Sequence, residues 1–186
     1  MSEYTVATEL WTAFKKGDKE AYGNLVALFY KTLYNYGTKL TRDKTVVEDC
    51  IQDLFLELWQ RREYLSETEY VRFYLLKSLR RKIYAQQSLQ QKWLHQSLET
   101  NTEGEFLGEF SIETRMIEVE TTEHHLKKLN QLLGKLTRRE REVIYLKFYQ
   151  ELDYEQIAAI MSINYQSVRN LIYTAIKELQ SAWFEE

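Results

Sequence analysis

The sequence predicts an all-α protein: two small helical domains joined by an acidic linker, the C-terminal one carrying a helix-turn-helix. Three observations carry that expectation. The 186 residues include no proline and only six glycines, while Leu, Glu, Lys and Gln are plentiful, so helix is the default throughout. Apolar residues recur at helical spacing in successive segments, with no strand alternation. Charge is unevenly spread: residues 89–122 hold seven acidic and two basic side chains, whereas the stretches on either side are close to balanced. That acidic stretch contains TNTEGEFLGEFSIE, with two of the six glycines. It reads as a linker over 93–122 between domains at 1–92 and 123–186.

The elements follow in order. A first helix runs from Thr5 to Lys16 and stops at Gly17. Asp18 is placed to cap a second, from Lys19 to about Leu40, because its carboxylate can accept the free N–H groups of the first turn. Along it Tyr22, Leu25, Val26, Phe29, Leu33 and Tyr36 share an apolar face. A third helix is expected from Thr45, with Glu48 completing a capping box, to about Arg62. The fourth is expected from Ser66, with Glu69 as its box partner, past Tyr84 toward Gln91. Beyond the linker, one helix spans Glu123 to Leu133 and ends at Gly134, and another spans Thr137 to Tyr149.

The last two helices flank a three-residue turn in EQIAAIMSINYQSVRNLIYTAIKEL, residues 155–179. The first packs with Ile157, Ala158 and Met161, the small alanine allowing a close crossing. The second packs with Val168, Leu171, Ile172, Ala175, Ile176 and Leu179. Ser162 stands where such turns usually carry glycine, and Asn164 can cap the second helix. The outward face offers Gln166, Ser167, Arg169, Asn170, Tyr173 and Lys177, with no carboxylate before Glu178. Hydrogen-bonding groups without negative charge suit phosphates and base edges in a major groove. The competing reading is an ordinary helix pair with a solvated polar face.

Composition excludes several classes. No apolar run approaches the roughly 18–20 residues of a membrane span, and MSEYTVATEL does not read as a signal peptide, so a soluble cytoplasmic protein is expected. Cys50 is the single cysteine, which excludes an internal disulfide or a thiolate zinc cluster, and its place is a buried helix face. His124 and His125 are adjacent and point apart on a helix, a poor metal site. There is no glycine-rich phosphate loop and no nucleophile–base arrangement, so neither catalysis, cofactor nor small-molecule substrate is expected.

Two segments resemble one family. LTRREREVIYLKFYQELDYEQIAAIMSINYQSVRNLIYTAIKEL resembles the C-terminal promoter-binding domain of sigma-70-family transcription initiation factors. KKGDKEAYGNLVALFYKTLYNYG and EDCIQDLFLELWQRR resemble their other essential half, the latter through an acidic residue followed by Gln52, Phe55 and Trp59. Only these two domains are present, as in the extracytoplasmic-function (ECF) group, with Bacteroidetes-type members the nearest likeness. The resemblance implies a sigma factor whose partners are core RNA polymerase, promoter DNA and an anti-sigma factor, free or membrane-bound.

Site residues follow from the resemblance laid over the residue pattern. Val46, Val47, Cys50, Leu54 and Leu58 read as core, leaving an acidic ridge of Asp49, Gln52, Asp53 and Glu57, with Leu56, Trp59 and Gln60 nearby. The resemblance implies that Asp49, Gln52, Asp53, Leu56 and Trp59 dock on the coiled coil of the largest polymerase subunit. On the fourth helix Val71, Leu75, Leu79 and Ile83 face inward and Lys77, Arg80, Arg81 and Tyr84 face outward, while Lys82 is expected to snorkel into solvent. Interleaved cations and rings suit a strand with exposed bases. The resemblance implies minus-10 recognition and melting there, with a base captured partly by the loop REYLSETEY, and minus-35 binding by the helix-turn-helix. Thr174 stands where relatives often have arginine, so one phosphate contact is expected to be missing; Arg138 and Lys147 are further phosphate candidates. The linker, with Glu99, Glu103, Glu105, Glu109, Glu113, Glu118 and Glu120 against Arg115, resembles RNA electrostatically. A stand-alone helix-turn-helix regulator would leave EDCIQDLFLELW unexplained, and a pure interaction module would lack the basic helix.

Overall fold

Four helices and one short turn build the N-terminal unit: α1 (Glu3–Lys15), α2 (Lys19–Leu40), α3 (Lys44–Arg61), a 3₁₀ turn (Arg62–Tyr64) and α4 (Val71–Trp93). The computed structural model describes residues 3–93, 106 and 120–184. These fall into two units, Met1–Glu105 and Phe106–Glu186.

Gly17, at φ +91°, turns the chain out of α1, a left-handed conformation that favours glycine. Asp18 then caps α2 as expected, accepting the N–H groups of Glu20 at 2.8 Å and Ala21 at 3.1 Å. Leu25, Phe29, Leu33, Tyr36 and Leu40 form the buried stripe of α2. Tyr22 is half-buried and donates its hydroxyl to the Phe55 carbonyl at 3.0 Å. α3 is capped by Asp43, not Thr45: the Asp43 carboxylate accepts the N–H groups of Thr45 and Val46. Aspartate is the better cap, so the threonine becomes an ordinary first-turn residue.

α4 begins at Val71, five residues after the expected Ser66. Ser66 does not cap it, because its carbonyl is taken by the Trp11 indole N–H at 3.1 Å. Tethered to α1, residues 65–70 stay non-helical, with a bend at Glu69. From Val71 onward Val71, Leu75, Leu79 and Ile83 are buried as expected, joined by Leu76.

Gly37 lies where α2 meets α3 and α4. A β-carbon added there would stand 2.5 Å from Val47 Cγ1 and 3.4 Å from Ile83 Cδ1. Gly37→Ala is therefore expected to destabilise the unit by about 1–3 kcal/mol through overpacking, outweighing the roughly 0.5–1 kcal/mol that alanine gains in a helix interior. Gly23 sits on the same helix with nothing within 4 Å of an added β-carbon. Gly23→Ala should raise the midpoint of thermal unfolding and Gly37→Ala should lower it; midpoints moving together would refute the close approach.

The C-terminal unit contains Phe106, α5 (Glu120–Lys135), α6 (Arg138–Ile144), a π-helical turn (Tyr145–Tyr149), α7 (Tyr154–Met161) and α8 (Tyr165–Phe184). Thr137 and Glu140 form a reciprocal capping box at the start of α6. The helix expected over Thr137–Tyr149 thus exists, but its last five residues widen into the π turn. Glu151, at φ 56°, then reverses the chain toward α7. α5 passes through Gly134 and ends at Lys135. Phe106, from the stretch read as linker, is fully buried, its ring centroid 5.9 Å from that of Tyr145. The other expectations about the linker, including its glutamates up to Glu118, lie outside the described residues. No helix among the described residues is long and apolar enough to cross a membrane.

Candidate functional site

The helix-turn-helix is built by four local devices. Asp153 and Gln156 form a capping box on α7, with hydrogen bonds of 2.7 and 3.0 Å. Ser162 adopts the left-handed conformation, φ 56° and ψ 41°, that the turn requires. The Ile163 N–H closes onto the Ala158 carbonyl at 3.1 Å, and Asn164 accepts the Ser167 N–H at 2.7 Å. Ile157, Ile160 and Met161 are buried on α7, and Val168, Ile172 and Ala175 on α8. Leu171, Ile176, Leu179 and Ala158 are half-buried, so the packed stripe is narrower than the spacing alone implied.

Opposite that stripe, Gln166, Arg169, Asn170, Tyr173 and Lys177 are exposed and Ser167 is half-buried. Gln166 donates its amide to Asn170 Oδ1 at 2.9 Å. Two amides one turn apart thereby orient each other, leaving the Asn170 amide hydrogens and the Gln166 carbonyl to face outward. Sequence reasoning missed Tyr165 at the leading end of α8, 46% exposed with its ring 5.6 Å from Tyr154. The signal was a tyrosine immediately after the capping Asn164. Lys147 is engaged locally, its ammonium 5.0 Å from the Tyr154 ring centroid and donating to the Leu152 carbonyl at 3.3 Å.

In the N-terminal unit, Asp49, Gln52, Asp53 and Leu56 are exposed on α3 at spacings that form one stripe. Leu56, 53% exposed, is the apolar point of that ridge. Two neighbours go elsewhere. Trp59 is half-buried among rings, 5.1 Å from Tyr22 and 6.3 Å from Phe14, with the Arg62 guanidinium 4.8 Å from its centroid. Glu57 turns toward α4 and accepts from Lys82 at 2.5 Å. Lys82, expected to snorkel into solvent, thus closes an ion pair across the α3–α4 seam.

Lys77 and Arg81 are exposed one turn apart on α4 and line a groove of about 460 Å³ between α3 and α4, together with Arg61, Phe73 and Ser78. The Lys77 ammonium lies 5.6 Å from the Phe73 ring centroid. Arg80 and Tyr84 are half-buried on the adjoining strip, guanidinium against ring at 4.6 Å. The four expected residues therefore form two pairs, one along the groove and one beside it. Tyr64, 84% exposed, and Tyr70, 55% exposed, flank the loop before α4. Their signal in the sequence was two large rings in the loop REYLSETEY, whose only other apolar residue is Leu65. Cys50 is buried and donates to Gln86 Oε1 at 3.1 Å; burial pushes its thiol up to about 11, so almost no reactive thiolate exists near neutrality. Among the described residues no group of side chains could hold a metal ion.

Two family models match the chain, Sigma-70 region 2 over residues 25–92 and Sigma-70, region 4 over residues 126–179. The chain belongs to the sigma-70 family, the factors that bind core RNA polymerase and direct promoter-specific initiation of transcription. Its fold is similar to that of CnrH, solved in complex with the cytosolic domain of CnrY, at 19% identity and a TM-score of 0.59, covering 97% of this chain and 99% of that one. It is also similar to the sigma factor RpoE, solved with the anti-sigma factor NepR from Bartonella quintana, at 19% identity and a TM-score of 0.58, covering 87% of this chain and 95% of that one. No curated protein matches the sequence.

Proposed function

We propose that this chain is a two-domain sigma factor of the ECF type with a division of labour among three surfaces. The α3 ridge docks on core polymerase, α4 with the loop before it engages the minus-10 element as a single strand, and α8 reads the minus-35 element. The observation that carries the reading is the exposed stripe Asp49, Gln52, Asp53 and Leu56 on α3. Carboxylates, an amide and an apolar anchor in one row have no role in the unit's own core, and they complement a basic partner helix. A stand-alone DNA-binding regulator has no use for that stripe. Asp53→Lys is expected to weaken binding to core polymerase at least tenfold, since like charges facing each other in an interface cost several kcal/mol. The helical content of the variant should match the parent. A binding titration with purified core giving equal affinities would refute the assignment.

On α8, Arg169 and the coupled pair Gln166–Asn170 meet base edges, with Ser167, Tyr173 and Lys177 beside them on the same face. Arg169→Ala should cost roughly 1–3 kcal/mol at particular bases of the upstream element. Selection of bound sequences from a randomised minus-35 library checks this; an identical consensus at identical affinity would contradict base reading. The acidic linker runs between the domains through the polymerase, where its glutamates mimic nucleic acid. The protein works without a catalytic centre of its own, in the cytoplasm with the transcription machinery. An anti-sigma factor is a further partner, a reading supported by the complexes in which the two similar proteins were solved.

A further inference from the structure

α1 precedes the segment matched by the region 2 family model, which begins at residue 25. Its side chains nevertheless reach forward more than fifty positions to the loop before α4. The Trp11 indole N–H donates to the Ser66 carbonyl at 3.1 Å. The Thr12 hydroxyl donates to Glu67 Oε2 at 3.1 Å, and the Lys15 ammonium to Glu67 Oε1 at 2.8 Å. Both oxygens of one carboxylate are thus gripped by one face of one helix. The bond to Lys15, with that to Thr12, holds the Glu67 carboxyl below its usual range.

The helix making this grip is itself rigidly seated. Trp11 is 1% exposed, with its ring edge-on to Phe14 and to Tyr74 of α4. The gripped segment lies between Tyr64 and Tyr70, two of the most exposed rings of the unit. A short loop with outward-facing aromatic rings and few buried groups would open easily on its own. Bonds from a packed helix remove that freedom, and a preorganised loop loses less entropy on meeting its ligand.

We propose that Trp11, Thr12 and Lys15 are positioning residues for promoter opening: they fix Ser66 and Glu67 so that Tyr64 and Tyr70 are presented to an unstacked base of the melted strand. This rests on the reading that the loop before α4 faces the minus-10 element. The ion pair is solvent-exposed on the glutamate side, so its role lies in loop geometry and not in overall stability.

Charge reversal tests the idea in the full-length protein bound to core polymerase. Lys15→Glu and Glu67→Lys should each slow promoter opening roughly tenfold, as expected for neighbours in one network, and the double reversal should restore most of the rate. The signal is fluorescence of a base analogue in the minus-10 element. Core affinity and binding to the minus-35 element should stay at parental values in all three. Hydrogen exchange of the 65–70 amides in the free protein should accelerate in each single variant and slow again in the double. Parental opening rates in the single variants, unaltered loop exchange, or a double variant no better than the singles would overturn the proposal. Equal losses of core affinity and opening would also overturn it, since the bonds would then serve only the fold. If the parent itself opened no promoter with core polymerase, the underlying functional reading would fail instead, a result distinct from each of these.

Discussion

Replacing Phe106 by alanine is expected to lower the stability of the C-terminal unit by about 3–5 kcal/mol, the usual cost of emptying a buried aromatic site. The ring is fully buried and packs on Tyr145, which stacks in turn on Tyr149 at 5.5 Å and accepts a hydrogen bond from buried Gln150 at 3.1 Å. Tyr145 also opens the π-helical turn that leads to the helix-turn-helix. Removing Phe106 therefore strips contacts from the element that sets the approach to α7. The effect should appear as faster hydrogen exchange of α6 and α7 amides, with α2 and α3 unchanged, and Phe106→Leu should recover a large part of it. Unchanged exchange in α6 and α7 would mean that Phe106 is dispensable to the unit.

Neutralising Lys77, Arg80 and Arg81 together should reduce open-complex formation by one to two orders of magnitude while core binding is retained. Each cation that neutralises a phosphate of a single strand contributes about 0.7 to the slope of log affinity against log salt, so losing all three should flatten that slope by at most about 2. Lys77 and Arg81 line the groove and should account for most of the change; Arg80 is held against Tyr84 and should contribute less. Melting kinetics at several salt concentrations give the slope. A parental slope would show that these charges do not track the strand.

Most of the fold was legible from local chemistry. Asp18 and Asn164 were visible as helix punctuation, and each bonds as its residue type dictates. The apolar stripes of α2, α3 and α4 followed from helical spacing, as did the exposure of Asp49, Gln52, Asp53, Lys77, Arg81, Arg169 and Asn170. What escaped were choices decided by distant partners. The start of α4 was misplaced because Ser66 and Glu69 make a plausible capping box locally, whereas Trp11 claims the Ser66 carbonyl from 55 positions away. The Glu57–Lys82 pair and the half-burial of Trp59 depend likewise on how α3 sits against α4 and α1, which periodicity cannot rank. Phe106 lies in the acidic stretch TNTEGEFLGEFSIE, whose composition reads as linker. Its packing on Tyr145 is a tertiary contact that local sequence does not signal.

The central claim is that the two domains act together to make core polymerase promoter-specific, with α3 as the docking surface. It is tested most directly by transcription from a genomic fragment library with purified core polymerase, with and without the full-length chain. The account predicts discrete transcripts that appear only with the parent protein, share upstream sequences at a fixed spacing, and vanish with Asp53→Lys. Transcripts that start at the same places without the protein, or that persist undiminished with Asp53→Lys, would contradict it.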